Sequence, residues 1–266
     1  MIANSLEVKR RVHDDERYRL ETWKIEVGDL PGWVTPGIRA EIESAPSRGP
    51  DEVWNLLEPG VLRRLEEAIE RSPWIQRAEV TRMEFPTRDE PGSLSLALEL
   101  RRPVAIIEHG RLYYLADPEG RRLGEPYSEP PSAWFGIPSV TGIESAGPVP
   151  EPGSTWASRD VQQGIEVARI LFESRVIRDF PESPVHVIDL SNLHGRRDPR
   201  ESEIVLWCGR QRLAWGRSPI SSGPRTLPVP EVVANLRYVL SHPETYGGYA
   251  LIHLHRRRED LTGVRG

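Results

Sequence analysis

Proline and glycine punctuate this chain from one end to the other, with 25 of the first and 22 of the second. Each proline removes a backbone donor and each glycine loosens the chain, so the fold must be assembled from short elements joined by turns. An apolar stretch as long as any, Leu112–Ala116, falls far short of the ~20 residues a membrane-spanning helix needs. The first residues are dominated by Lys9, Arg10, Arg11, Asp14, Asp15, Glu16 and Arg17 and show no secretory-signal pattern, so the chain as written reads as soluble.

The 266 residues suffice for one large domain or two ordinary ones. Hydrophobic residues make up 38%, low for a compact enzyme but well above a disordered chain. Basic and acidic side chains (35 and 40) are interspersed, for a formal charge of −5, which argues against a phosphate-backbone binder and hence against nucleic acid. A single cysteine, Cys208, excludes an internal disulfide and any cysteine-based zinc site.

Residues 1–17 read as a polar lead-in. Alternation over Tyr18–Val27 suggests a strand, a short helix is placed at Gly37–Ser44, and Pro46–Pro50 is a loop. Val61, Leu62, Leu65, Ala68 and Ile69 fall at helical spacing opposite charged residues, and Pro73 stops that helix. Ala78–Glu84 and Leu94–Leu100 form a hairpin pattern with one face buried. From Pro103 the texture changes. Val104–Ile107 and Arg111–Leu115 read as short strands, and residues 124–155 as a loop or irregular edge. Ala157–Ser174 is an amphipathic helix. Strands follow at Val185–Leu190, Glu203–Trp207 and Gln211–Gly216, then a helix at Pro230–Ser241 and a last strand at Tyr249–His255.

A search for catalytic motifs comes out nearly empty, with no GxSxG elbow, GxGxxG, P-loop or HExxH. Cys208 ends an apolar strand and reads as packing rather than nucleophile. His253 and His255 share a strand face and could in principle ligate a metal, but two imidazoles alone make a weak site; solvent-facing histidines between inward Ile252 and Leu254 are the default. Arg256–Arg258 reads as a solvated chain end or a charged clamp for an acidic partner segment. Trp74 and Trp215 sit at element boundaries, where an amphipathic ring packs.

The order of these pieces resembles the extracytoplasmic part of the FtsQ/DivIB family of bacterial division proteins. The resemblance is carried by five stretches: Leu65–Ile69 leading through Pro73-Trp74-Ile75 to Phe85-Pro86; Leu94–Leu100 running into Arg101-Arg102-Pro103-Val104-Ala105; the turn Tyr114–Gly120; Ile137-Pro138-Ser139-Val140-Thr141-Gly142; and Leu213-Ala214-Trp215-Gly216-Arg217, with a helix and terminal strand behind it. What the resemblance implies is an α+β fold: a POTRA domain of order β-α-α-β-β at 18–102, then a mostly antiparallel β domain with two flanking helices at 103–257, and a tail at 258–266. It further implies a non-catalytic divisome scaffold without cofactor, metal or catalytic residues. The scaffold would sit on the extracytoplasmic (periplasmic) face of the cytoplasmic membrane and bind bitopic division proteins of the FtsB/DivIC and FtsL type.

In that family a partner strand adds to the terminal edge strand of the β domain. Carried over, the acceptor is Tyr249–His255 (Tyr249, Leu251, His253, His255), flanked by Arg217 and Arg256. An edge strand offers unpaired N–H and C=O groups, which makes that mode physically reasonable. Two departures stand out. The family's membrane helix precedes its first POTRA strand, where this chain has charged residues. Many members carry Asp-Leu-Arg in the terminal strand, where this chain reads His253-Leu254-His255-Arg256. The competing expectations are a POTRA-type envelope assembly or transport factor, and a hydrolase or metal enzyme using His253 and His255.

Overall fold

The computed structural model describes residues 15–48, 54–131, 136–221, 227–261 and 263–265. Most of the expected lead-in, the end of the Pro46–Pro50 loop, and Thr262 and Gly266 of the tail lie outside them. The chain divides into two compact units, Met1–Arg101 and Arg102–Gly266. Both mix helices with sheets, so the fold is α+β, with large sheets and few helices.

The first unit holds β1 (Lys24–Val27), α1 (Pro36–Ser44), α2 (Val61–Ile69), β2 (Ile75–Glu84) and β3 (Ser93–Leu100). Thr35 caps α1 by accepting from the Ile38 amide, Pro36 supplies a first-turn residue that needs no donor, and Ile38 and Ile42 turn one stripe inward. In α2 the i, i+4, i+8 series Val61, Leu65 and Ile69 is fully buried. The three strands pair in the order β1-β3-β2, parallel for β1 and β3 and antiparallel for β2 and β3. Leu94 and Leu96 of β3 face the core with Ala78 of β2, against Trp74, whose ring nitrogen donates to Glu41 Oε2 at 2.7 Å.

The strand expected over Tyr18–Val27 is shorter than its alternation suggests. Only Lys24–Val27 is extended, and Glu16–Tyr18 and Leu20–Thr22 are 3-10 turns. Local polar contacts account for the difference. Asp15 accepts from the Arg17 amide, the Thr22 hydroxyl donates to the Arg19 carbonyl at 2.8 Å, and the Trp23 ring nitrogen donates to the Arg17 carbonyl at 2.8 Å.

The second unit is built on a nine-stranded sheet. Its strands are β4 (Ala105–His109), β5 (Leu112–Ala116), β6 (Arg122–Tyr127), β7 (Ser139–Thr141), β8 (Val185–Asp189), β9 (Ile204–Cys208), β10 (Gln211–Gly216), β11 (Tyr249–His253) and β12 (Gly263–Arg265), in the order β12-β11-β10-β9-β8-β7-β4-β5-β6. Pairing is antiparallel except for β10 with β11, β4 with β7 and β7 with β8. Helix α3 (Arg159–Glu173) starts at Ser158, whose hydroxyl accepts from the Val161 amide, and buries Val161, Ile165, Ala168 and Leu171. Gly164 brings it close to the sheet, because a Cβ there would collide with the Val140 side chain of β7. After α4 (Val176–Asp179), α5 (Val229–Leu240) contributes Val232, Leu236 and Val239 to the same core, and α6 (Pro243–Tyr246) leads into β11.

Two sequence expectations are corrected in this unit. The stretch 124–155 is not simply a loop: β6 extends into it, and β7 lies at the heart of the sheet, parallel to both neighbours. Its three residues sit between Pro138 and Gly142, too few to show a period. And Tyr249–His255 is not the edge strand. β11 pairs with β10 on one side and with β12 on the other, so the tail returns to the sheet and covers it.

Candidate partner-binding site

Parallel pairing sets Arg212 opposite Leu251, Leu213 opposite Ile252 and Ala214 opposite His253, so the chain leaves β10 and β11 at the same end of the sheet. There Gly216 takes φ 105°, a left-handed value that favours glycine. A Cβ on it would also stand 2.7 Å from the Cβ of His255. The glycine before Arg217 thus lets the His255 side chain lie against the end of β10. His255 Nδ1 is 3.2 Å from the Ala214 carbonyl and 3.4 Å from the Ser202 hydroxyl.

Beside this junction lies a polar cavity of about 270 Å³, whose walls include His194, Arg200, Ser202, Glu203, Arg217 and His255. Its outer wall is the loop between β8 and β9, and Asn192 organises that loop. The buried amide of Asn192 donates to the carbonyls of Asp198 and Ser202 and accepts from the amides of Arg197 and Asp198. Arg196 ties the loop to α3 by pairing with the buried Asp160 at 2.9 Å and donating to the Leu190 carbonyl at 2.7 Å. On the cavity wall Arg217 Nε stands 3.8 Å from Glu203 Oε1, while Glu203 Oε2 is buried without a hydrogen-bond partner.

The structure brings the expected residues together unevenly. Arg217 and His255 share the cavity, and His253 meets His255 edge to face at 5.4 Å between ring centroids. Both histidines are half-buried, which corrects the solvent-facing expectation, and His253 Nδ1 is enclosed without a partner. Burial holds both imidazoles below their usual 6.5, and the nearby Arg256 charge adds to it; for His255 the Ala214 carbonyl acts the other way. Tyr249 lies at the far end of β11, where its ring stands 6.3 Å from Tyr246 and Gln211 donates to both carbonyls. Leu251 is half-buried between β10 and β12. The Arg256 side chain is exposed outside the cavity, and its carbonyl accepts from Asn235 at 2.8 Å.

Sequence reasoning missed His194, Arg200, Ser202 and Glu203. They come from a loop with no motif, and only the fold sets them opposite Arg217. No group of three or more His, Cys, Asp or Glu side chains suited to a metal occurs among the described residues. Burial pushes the Cys208 thiol up, and its sulfur donates to the Ser183 carbonyl, the environment of a packed cysteine rather than a thiolate nucleophile.

Fold and cavity together describe an α+β protein with a charged cleft beside the closing strands of a large sheet. Two curated proteins named "Cell division protein FtsQ" are similar to parts of this chain. One, from Geotalea daltonii, is 36% identical over 101 residues, covering 38% of this chain and 33% of its own length. The other, from Myxococcus fulvus, is 36% identical over 91 residues, covering 34% of this chain and 28% of its own length. The matches thus span about a third of each relative's length, and the similarity is confined to that stretch. No protein-family model matches the chain. Among the described residues no helix is long and apolar enough to cross a membrane.

Proposed function

We propose that this chain is a cell-division scaffold of the FtsQ type. In this reading residues 18–102 form a POTRA domain and 103–257 the β domain, held on the extracytoplasmic face of the cytoplasmic membrane. The β-α-α-β-β order of the first unit supports the POTRA reading. The scaffold works by binding and does no chemistry of its own. Its partners are bitopic division proteins of the FtsB/DivIC and FtsL type, and a partner strand joins the β11 end of the large sheet.

The observation that carries the reading is the meeting of Arg217 and His255 in one polar cavity at the end of β10 and β11. Main-chain pairing along a strand gives affinity, and a charged cavity at the strand's end gives register and selectivity. Arg217 is half exposed and only loosely paired with Glu203, so its guanidinium can take an acidic side chain from an incoming segment. Arg256, exposed just beyond β11, supplies a second positive charge.

The test is calorimetric titration of the chain with the purified extracytoplasmic segment of the FtsB-type protein from the same organism. Arg217→Gln is expected to weaken binding at least tenfold, about 1.4 kcal/mol, with thermal melts checking that the variant stays folded. Equal binding by wild type and variant would remove this surface from the interface.

A further inference from the structure

Four strands end sheets among the described residues, and they are not equally available. β6 carries Pro126, which has no amide to offer. β2 donates its Ala78 amide to Glu70 Oε1 at 3.0 Å and its Val80 amide to Glu66 Oε1 at 2.8 Å, so carboxylates from α2 and its C-cap occupy those donors. β1 is four residues long, with Lys24 and Glu26 paired across it at 2.7 Å. The fourth is β12, a strand of three residues laid over β11.

The fit of β12 depends on one glycine. Its register sets Gly263 opposite Ile252, Val264 opposite Leu251 and Arg265 opposite Tyr249, with a shift between Tyr249 and Leu251. A Cβ on Gly263 would lie 2.7 Å from the Leu251 carbonyl oxygen and collide with the Tyr249 ring. Backbone can approach β11 at this point only if it carries no side chain. Val264 is 59% exposed, and the segment leading into the strand is held upstream of it, by Leu261 packed into the core and by Arg258, whose guanidinium lies 4.8 Å over the Tyr238 ring and donates to the Ala234 carbonyl. Three paired residues with a register shift make a weak ladder beside the pairing of β9 with β10.

We propose that β12 is a displaceable occupant of the partner's place on β11: a strap, held at Leu261, that covers the strand-accepting edge until a partner segment replaces it. The incoming strand runs antiparallel to β11 and has glycine where Gly263 stands, because the Tyr249 ring and the Leu251 carbonyl admit nothing larger. This rests on the strand-addition reading above and gives it a sequence requirement. Covering an edge in cis also guards it against pairing between copies. A tethered strand competes at high effective concentration, so a partner must outbid the strap through contacts the strap lacks, such as those with Arg217.

The probe is a fluorescent synthetic peptide with the sequence of residues 258–266, tested by anisotropy against the full-length chain. Wild type is expected to bind it at least tenfold more weakly than Gly263→Val, whose own strap no longer fits. A peptide with valine in place of its glycine should bind neither. Failure of Gly263→Val to gain binding, or equal binding of the two peptides, would overturn the proposal. Val264→Pro, which puts a proline into a three-residue strand at an exposed position, repeats the test without crowding Tyr249, and thermal melts confirm that both variants fold. Titration with the FtsB-type segment separates the two ideas. Peptide capture by Gly263→Val without any binding of that segment would leave the strap intact and overturn the partner assignment. Tighter binding of the segment by Gly263→Val than by wild type would support both.

Discussion

At the scale of single residues, the two histidines of the β11 end connect burial to pH. Each imidazole is kept below 6.5 chiefly by burial, with the positive Arg256 adding to the effect. Arg217 and Glu203 line the same cavity, their facing atoms 3.8 Å apart. Between the lowered native value and the ordinary 6.5, the unfolded chain binds protons that the native protein does not. Stability therefore rises with pH across that window, stands at its full level above about 6.5, and is lost as the pH falls through it. Urea midpoints are expected to be lower at pH 5.5 than at pH 7.5, and His255→Gln should shrink that difference. A His255→Gln protein with an unchanged pH dependence would show that other groups set it. The residue types at this site were readable in advance for Gly216-Arg217 and for the alternating histidines. The cavity was not, because Glu203 and His194 reach it only after Asn192 and the Arg196–Asp160 pair have shaped a loop that no periodicity marks.

At the scale of elements, legibility followed length and environment. Helices α2, α3 and α5 carry long apolar stripes, and the hairpin of β2 and β3 alternates cleanly, so their patterns survive in the sequence. β7 and β12 are three residues each, and their extended state is imposed by the strands they lie beside. That dependence is why the edge was misplaced by one strand: nothing local in Gly263–Arg265 signals a strand, whereas Tyr249–His255 reads as one. Elements also protect one another. Glu66 of α2 and Glu70, its C-cap residue, lie one turn apart and each takes an amide of β2. In a Glu66→Ala, Glu70→Ala double variant those amides, at buried Ala78 and half-buried Val80, lose their partners, at about 1 kcal/mol each. Faster hydrogen exchange at Ala78 and Val80 is expected, with concentration-dependent self-association through the freed edge. Unaltered exchange at both amides would mean the carboxylates do not guard them.

At the scale of the whole molecule, the chain carries two cores rather than one. Among the described residues, the apolar cluster of the second unit runs from Val104 to Leu261. The first unit has its own buried set around Ile38, Ile42, Leu65, Ile69, Trp74 and Leu94. Each core joins its own sheet to its own helices, which is the condition for independent folding. The boundary falls between Arg101 and Arg102, just before Pro103. Residues 102–266 expressed alone are therefore expected to fold, with a urea midpoint matching one of two transitions in the full chain. Trp156, Trp207 and Trp215 report on this unit, and Trp23, Trp54 and Trp74 on the other. A single transition in the full chain, together with an unfolded 102–266 fragment, would mean that the second core needs the first. Independent folding bears on function as well, because it lets the β11 end be tested on the fragment. Arg217, His255, Leu251 and the strap all belong to the second unit, so under the proposed strand-addition reading a folded fragment should bind the FtsB-type segment as tightly as the full chain. Weaker binding by a folded fragment would place part of the interface on the first unit.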